Sequence, residues 1–290
     1  MKHAVLGVGA IGGLLGTALG SLGEDVTVIV RQERLHDYPA QLVLETPAGS
    51  ITAHVKPIAK LTEPVDVLWI ATKTYQLQAA LENVVTTPTH VIPLLNGIDH
   101  VAALRARFGD DTVAPATIAV EAEKAAAGRF IQRSPKVRLN LLASTEPFLR
   151  GIAEGLNRIG FVTSFIANEQ TLLWGKLCFL GPFALVTSAS GKNLGEVLAD
   201  PVWKQKLNSA VAEACAVAKA SGAQVDAQKL RAVIESSPPT MRSSMQKDVA
   251  AGRPLELDAI GGPIVRGGEE FGVDVSTTAG LMAAIRSRCK

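Results

Sequence analysis

Charge and aromatic side chains are both scarce in this chain of 290 residues: Asp, Glu, Lys and Arg make up 19% and Phe, Trp and Tyr 4%, against 47% hydrophobic residues. So small a charged fraction excludes an intrinsically disordered chain or a coiled coil, and the aliphatic surplus supplies a large core. No broad basic surface is available, because 29 Lys and Arg stand against 27 Asp and Glu, a balance of +2. Nucleic acid, whose phosphates require clustered positive charge, is therefore not an expected partner. Cysteine is nearly absent. Cys178, Cys215 and Cys289 lie far apart without a CxxC, which argues against a disulfide framework or a zinc ribbon and fits a reducing cytoplasm. Histidine stops at His100, after His3, His36, His54 and His90, so acid–base chemistry in the remaining two-thirds falls to Lys, carboxylates or Tyr. There is no G-x-S-x-G or H-E-x-x-H, and Gly191-Lys192-Asn193 lacks the Ser/Thr and upstream Gly of a P-loop. No metal site is expected.

Long uncharged runs are few, and two of them imitate membrane segments. Ala4 to Gly23 carries no charge and follows Lys2, as a signal peptide or a span would, but seven of its residues are glycine and a strand-like run, Val26 to Val30, follows directly. Leu177 to Gly191 is shorter than a span and contains Pro182, so it reads as a buried helix or turn. The expectation is a soluble cytoplasmic protein with no membrane partner, and its length suggests two domains at about 150 residues each.

The first third alternates short apolar runs with helical stretches. His3–Gly7, Asp25–Val30, Val65–Thr72 and His90–Leu95 read as strands, and Ala10–Leu22, Gln76–Glu82 and Asp99–Phe108 as helices. Buried parallel strands separated by helices describe a doubly wound α/β sheet. Leu42–Val55, with its Thr-Pro-Ala-Gly turn, reads as an inserted hairpin. Residues 112–142 read as extra strands, followed by a helix over 146–159 and a last strand over 161–166. Beyond that only helices are predicted. The clearest runs from Asp200-Pro201 to Ala220, with an Asp cap, a first-turn Pro and Gly222 as a stop. Others are expected over 228–236, 241–251, 255–271 and 276–288. The expected division is 1–166 for the α/β domain and 167–290 for the helical one.

Gly7-Val8-Gly9-Ala10-Ile11-Gly12 is a GxGxxG between a strand and a helix, the arrangement that brings a pyrophosphate onto a helix N-terminus. Small residues at these positions also serve ordinary packing. A dinucleotide site selective for NAD presents Asp or Glu after the second strand, whereas here Arg31 follows Val30 and Arg34 lies one turn on. A guanidinium suits a 2′-phosphate, which favours NADP; the alternative is a solvated surface Arg. Lys73 and Asn96 stand at the carboxyl ends of later strands, where open α/β sheets bind ligands. Each also reads as a cap, and Asn96-Gly97 is a strong turn signal. In Trp174-Gly-Lys176-Leu, one Lys heads a long apolar run. It reads either as a solvated helix end or, if desolvated, as an acid usable near neutral pH.

The order and spacing of these elements resemble the ketopantoate reductase (2-dehydropantoate 2-reductase) family over nearly the whole chain. The likeness is carried by the GxGxxG, Arg31, Lys73, Asn96, Trp174-x-Lys176-Leu, Gly195-Glu196, Ser243-Ser244-Met-x-x-Asp248 and Glu256 in Pro-Leu-Glu-Leu-Asp. It implies a Rossmann domain followed by an all-helical domain, with NADPH-dependent reduction of a 2-keto acid in the cleft between, in pantothenate biosynthesis. The resemblance makes Lys176 the general acid, Asn96 a contact of cofactor and substrate, Ser244 a donor to the substrate carboxylate, and Glu256 an anchor near both. It makes Lys73 a cofactor contact and Ala122 a backbone one. The family carries asparagines four and eight residues after the lysine, where this chain has Leu180 and Ala184, and a third polar position is Leu194 beside Asn193. Three readings follow: a ketopantoate reductase with a rearranged hydroxyl site, a reductase of a more apolar 2-keto acid, or an NADP-binding protein without turnover. Lys176, Ser244 and Glu256 together argue against the last. A homodimer through the helical domain is a further expectation.

Overall fold

The computed structural model describes residues 1–288, so Cys289 lies outside the described residues. The chain forms two compact units: residues 1–95 with 100–167, and residues from 168 onward together with the segment 96–99. That four-residue loan was not expected from the sequence, which placed 96–99 in the first domain.

The first unit is built, in chain order, from β1 (Lys2–Leu6), α1 (Ala10–Ser21), β2 (Asp25–Ile29), α2 (Gln32–Leu35), β3 (Gln41–Thr46), β4 (Gly49–His54), β5 (Lys56–Ile58) and β6 (Val67–Ile70). There follow α3 (Leu77–Leu81), β7 (His90–Pro93), α4 (His100–Phe108), β8 (Ala116–Ala119), β9 (Ala122–Ala126), β10 (Arg129–Gln132), β11 (Val137–Leu142), α5 (Glu146–Arg158) and β12 (Phe161–Ile166). The central sheet has the order β5-β2-β1-β6-β7 and is parallel throughout. Its middle strands are buried on both faces, which is why Val67-Leu-Trp-Ile70 reads as a continuous apolar run rather than an alternating one. Strand order reverses at β1, so the loops after β1 and β6 flank the switch point where such sheets bind ligands.

The expected hairpin is β3–β4, and it belongs to a second sheet, β4-β3-β10-β9, rather than standing alone. Phe130 of β10 fills the space beside α1 that a side chain at Gly13 would need, its ring 2.0 Å from that virtual Cβ. The third sheet, β12-β11-β8, completes the unit.

The second unit is all helical: α6 (Glu169–Ser190), α7 (Leu194–Ala199), α8 (Pro201–Ala220), α9 (Ala227–Glu235), α10 (Ser244–Ala250), α11 (Leu257–Phe271) and α12 (Ser276–Arg288). Asp200 caps α8 by accepting from the Val202 and Trp203 amides, with Pro201 in the first turn. Of the two readings of 177–191, the buried helix holds and the turn does not: the run is the greater part of α6, which begins at Glu169 and continues through Pro182. Proline forfeits one backbone bond, a local cost of about 3 kcal/mol. Burial of Leu177, Cys178, Phe183, Leu185 and Val186 offsets it. Among the described residues α6 alone is long and apolar enough to cross a membrane, and 78% of that window is buried inside the fold, as in a core helix. The helix expected over 241–251 starts only at Ser244, because the Met241 carbonyl is taken by the Leu194 amide and Ser243 serves as the cap, accepting from the Gln246 amide at 3.0 Å.

Candidate active site

In the first unit the loop after β1 has little freedom. Gly7 lies at φ +93°, and a Cβ there would stand 2.7 Å from the Thr72 backbone nitrogen, in the loop after β6. A Cβ on Gly12 would stand 2.1 Å from the Gly7 carbonyl oxygen. Gly9 faces open space instead, with nothing within 4 Å of its virtual Cβ. Two glycines are thus required by close packing, and the third leaves backbone exposed at the start of α1. This helix has no acidic residue in its first turn and no side-chain cap, so its N–H groups face an incoming anion unopposed. Val8 completes the loop, and Ala10 and Ile11 open α1. The cradle fits a dinucleotide pyrophosphate. Arg31 caps the single turn of α2 at the end of β2 and is exposed, as is Arg34. Lys73 begins the short 3-10 turn Thr74–Gln76, one residue past the Thr72 that abuts Gly7.

In the second unit Lys176 is no helix end. It lies in the third turn of α6, and its Nζ donates to the Asn96 side-chain oxygen at 3.0 Å. The Asn96 amide nitrogen in turn donates to Glu256 Oε2 at 3.1 Å. The amide orientation is dictated by its neighbours, since an ammonium offers only donors and a carboxylate only acceptors. Glu256 is buried at 4% exposure and immediately precedes α11. Burial pulls the Lys176 ammonium down to about 8, against the Glu256 carboxylate, which holds it up.

Segment 96–99 joins this unit for local reasons. Gly97, at φ +82°, turns the chain so tightly that a Cβ would lie 2.2 Å from the Ala259 carbonyl oxygen. Ile98 packs into the helical core, and Asp99 pairs with Arg266, which also bonds Asp258 at 3.1 Å. Of the two readings the sequence offers for Asn96, the Asn-Gly turn is seen directly, and its side chain in addition bonds Lys176 and Glu256.

Lys176, Asn96 and Glu256 are thus brought together, whereas Ser244 is not. It is the exposed first residue of α10 and makes no hydrogen bond to those three. Its neighbour Ser243 meets Thr187 Oγ1 at 2.9 Å, about 16 Å along α6 from Lys176 at 1.5 Å per residue. Leu180 is half-buried and Ala184 fully buried, four and eight residues along α6 from the lysine. Asn193 is occupied as the cap of α7, in a reciprocal pair with Glu196. Ala122 begins β9 and packs against the core of the first unit. Two residues further on the same face is Lys124, missed in the sequence, whose Nζ donates to the Val8 carbonyl at 2.9 Å.

A protonated lysine near its pKa gives the rate a definite pH dependence. A reaction that takes its proton from this ammonium would show kcat/KM flat below about pH 8 and falling about tenfold per unit above it. Glu256→Gln removes the charge that raises this pKa, so the break should move to lower pH. A profile unmoved by that substitution excludes Lys176 as the ionising group.

Comparison with known proteins was consistent across both units. Residues 3–142 match the family model described as ketopantoate reductase PanE/ApbA, and residues 168–288 match its C-terminal counterpart. A 2-dehydropantoate 2-reductase of Caulobacter vibrioides is 32% identical over 297 residues, covering 98% of each chain. One of Mycobacterium tuberculosis is 30% identical, covering 76% of this chain and 75% of its own. Among solved structures, 2-dehydropantoate 2-reductase from Geobacter metallireducens superposes with a TM-score of 0.88 at 22% identity, each chain covered to 99%. D-mandelate dehydrogenase with NADH and anilino(oxo)acetate gives 0.87 at 21%, covering 100% of this chain and 98% of its own, so at this level of identity the fold is what is shared.

Proposed function

The chain belongs to the ketopantoate reductase family, NAD(P)-dependent oxidoreductases acting on small keto acids, and from that premise we propose that it reduces 2-dehydropantoate to pantoate with NADPH, in pantothenate biosynthesis. The observation that carries this reading is the Lys176–Asn96–Glu256 chain, with its ammonium drawn down to about 8. A nicotinamide cofactor, when bound, would supply the hydride that the keto carbon takes up. Lys176 gives one proton to the keto oxygen, and its positive charge stabilises the alkoxide as it develops, where electrostatic help counts most. Left neutral, the amine recovers a proton from solvent. Asn96 fixes the direction of the ammonium, and Glu256 fixes Asn96 while keeping Lys176 protonated near neutrality. Gly7 to Gly12 would cradle the pyrophosphate, Arg31 would hold the 2′-phosphate, and Lys73 and the Ala122 backbone would add cofactor contacts; Ser244, which stands away from the Lys176 cluster, is given no part in holding the substrate carboxylate. A cytoplasmic homodimer completes the proposal; a Staphylococcus aureus ketopantoate reductase of TM-score 0.77 is described as dimeric.

A second reading rests on Leu180 and Ala184, which offer no amide to the hydroxyl of ketopantoate. A buried hydroxyl without a partner loses about 1–3 kcal/mol. The same chemistry on a more apolar 2-keto acid escapes that loss. NADPH oxidation with ketopantoate beside branched and unbranched 2-keto acids lacking its hydroxyl separates the two. Preferred turnover of ketopantoate is expected; turnover of the others alone establishes the second reading, and turnover of none leaves a cofactor-binding protein.

A further inference from the structure

Strand β9 is the edge of the second sheet, and four of its five residues are exposed. An edge-strand lysine ordinarily extends into water, where it discourages pairing with another chain. Lys124 does not. Its ammonium bends back over the first unit's glycine loop, donates to the Val8 carbonyl at 2.9 Å, and lies 5.6 Å from the centre of the Tyr38 ring. Tyr38 is itself 9% exposed, so the ring is a fixed platform and the contact confines the lysine's position. The Arg34 guanidinium lies close enough to act on the same ammonium, and desolvation together with that neighbour pulls it below the ordinary lysine value. Arg34 belongs to α2, whose cap is Arg31, while Asp37 just beyond is paired with His36.

Holding like charges together costs energy unless an anion is seated among them. A lysine has three N–H donors, and Val8 uses one. We propose that Lys124 is a ligand of the cofactor's 2′-phosphate, completing with Arg31 and Arg34 a three-cation site, and so sets the preference for NADPH over NADH. This rests on the reading of Gly7 to Gly12 and Arg31 as an NADP site. It assigns to β9 a role in choosing the cofactor that no feature of the GxGxxG motif supplies.

The test is binding rather than turnover: titration calorimetry of the whole protein with adenosine 2′,5′-bisphosphate and with adenosine 5′-monophosphate, for wild type, Lys124→Met and Lys124→Arg. Wild type should bind the bisphosphate more tightly. Lys124→Met should weaken the bisphosphate by about ten- to hundredfold, the range of a charge-assisted bond, and the monophosphate by less than about threefold. Lys124→Arg should recover most of the loss. Equal weakening of both nucleotides makes Lys124 a brace for the glycine loop and overturns the inference, as does unchanged selectivity in Lys124→Met. Absence of 2′-phosphate selectivity in wild type overturns the NADP reading itself. Lys124 is exposed and outside both cores, so all three proteins should fold, which circular dichroism checks.

Discussion

Lys176→Met is expected to lower kcat by at least about a hundredfold, as removal of a general acid does, without lowering the melting temperature at pH 7. The two halves of that result have one cause. Burial makes the ammonium a stronger acid than ordinary lysine, and the same burial opposes folding. Its folded pKa, about 8, lies below the unfolded value near 10.5. The unfolded chain therefore binds more protons between those limits, and stability rises with pH across that window. Below pH 8 the full penalty of burying the charge is present, so an apolar side chain of similar length relieves it. Opposing this, the Asn96 carbonyl loses its donor, at a cost of about 1–3 kcal/mol if no water replaces it. The terms nearly cancel. A melting temperature within a few degrees of wild type, nicotinamide binding unchanged and kcat lost identify a group kept for chemistry. A variant near the wild-type rate removes Lys176 from the mechanism, and a large drop in melting temperature makes the ammonium structural.

What the sequence made legible was whatever has a local signature. The parallel strands announce themselves as unbroken apolar runs, α8 by Asp200-Pro201, and the β3–β4 hairpin by its turn residues. Residues whose role depends on distant partners were harder to read. Pro182 masked the length of α6 because the packing that tolerates it comes from other helices. Ser243 and Ser244 are chemically identical neighbours, and only the Thr187 hydroxyl and the Gln246 amide show which one is consumed as a cap. Lys124 sits in Ala-Glu-Lys-Ala-Ala-Ala, which has no period-two alternation to mark a strand, and its reach to Val8 spans 116 positions. Asn96 was visible as a candidate, but its two partners lie 80 and 160 positions away, and no spacing rule connects them.

The loan of residues 96–99 to the helical unit depends on one missing side chain, and Gly97→Ala should therefore cost both stability and rate. Two penalties combine. At φ +82° an L-residue carries about 1–2 kcal/mol of backbone strain. A new Cβ would also sit 2.2 Å from the Ala259 carbonyl oxygen, about an ångström inside contact, and that atom belongs to the backbone of α11 rather than to a side chain able to rotate away. The segment must then lift from α11, carrying Asn96 from Lys176 and Glu256, and a displacement of about 1 Å at a positioning group can cost a hundredfold in rate. Gly109→Ala is the control: its φ of +92° imposes similar strain, but no atom lies within 4 Å of the added Cβ. We expect Gly109→Ala to lose about 1 kcal/mol of stability and no activity, and Gly97→Ala to lose about 3 kcal/mol or more and at least about a hundredfold in kcat. If the two variants melt alike and both turn over normally, the Gly97 loop relaxes without moving Asn96, or the Asn96 bond to Lys176 is not needed for proton transfer. Combining Gly97→Ala with Asn96→Ala decides between them, because the second substitution should add nothing once Asn96 has already been displaced.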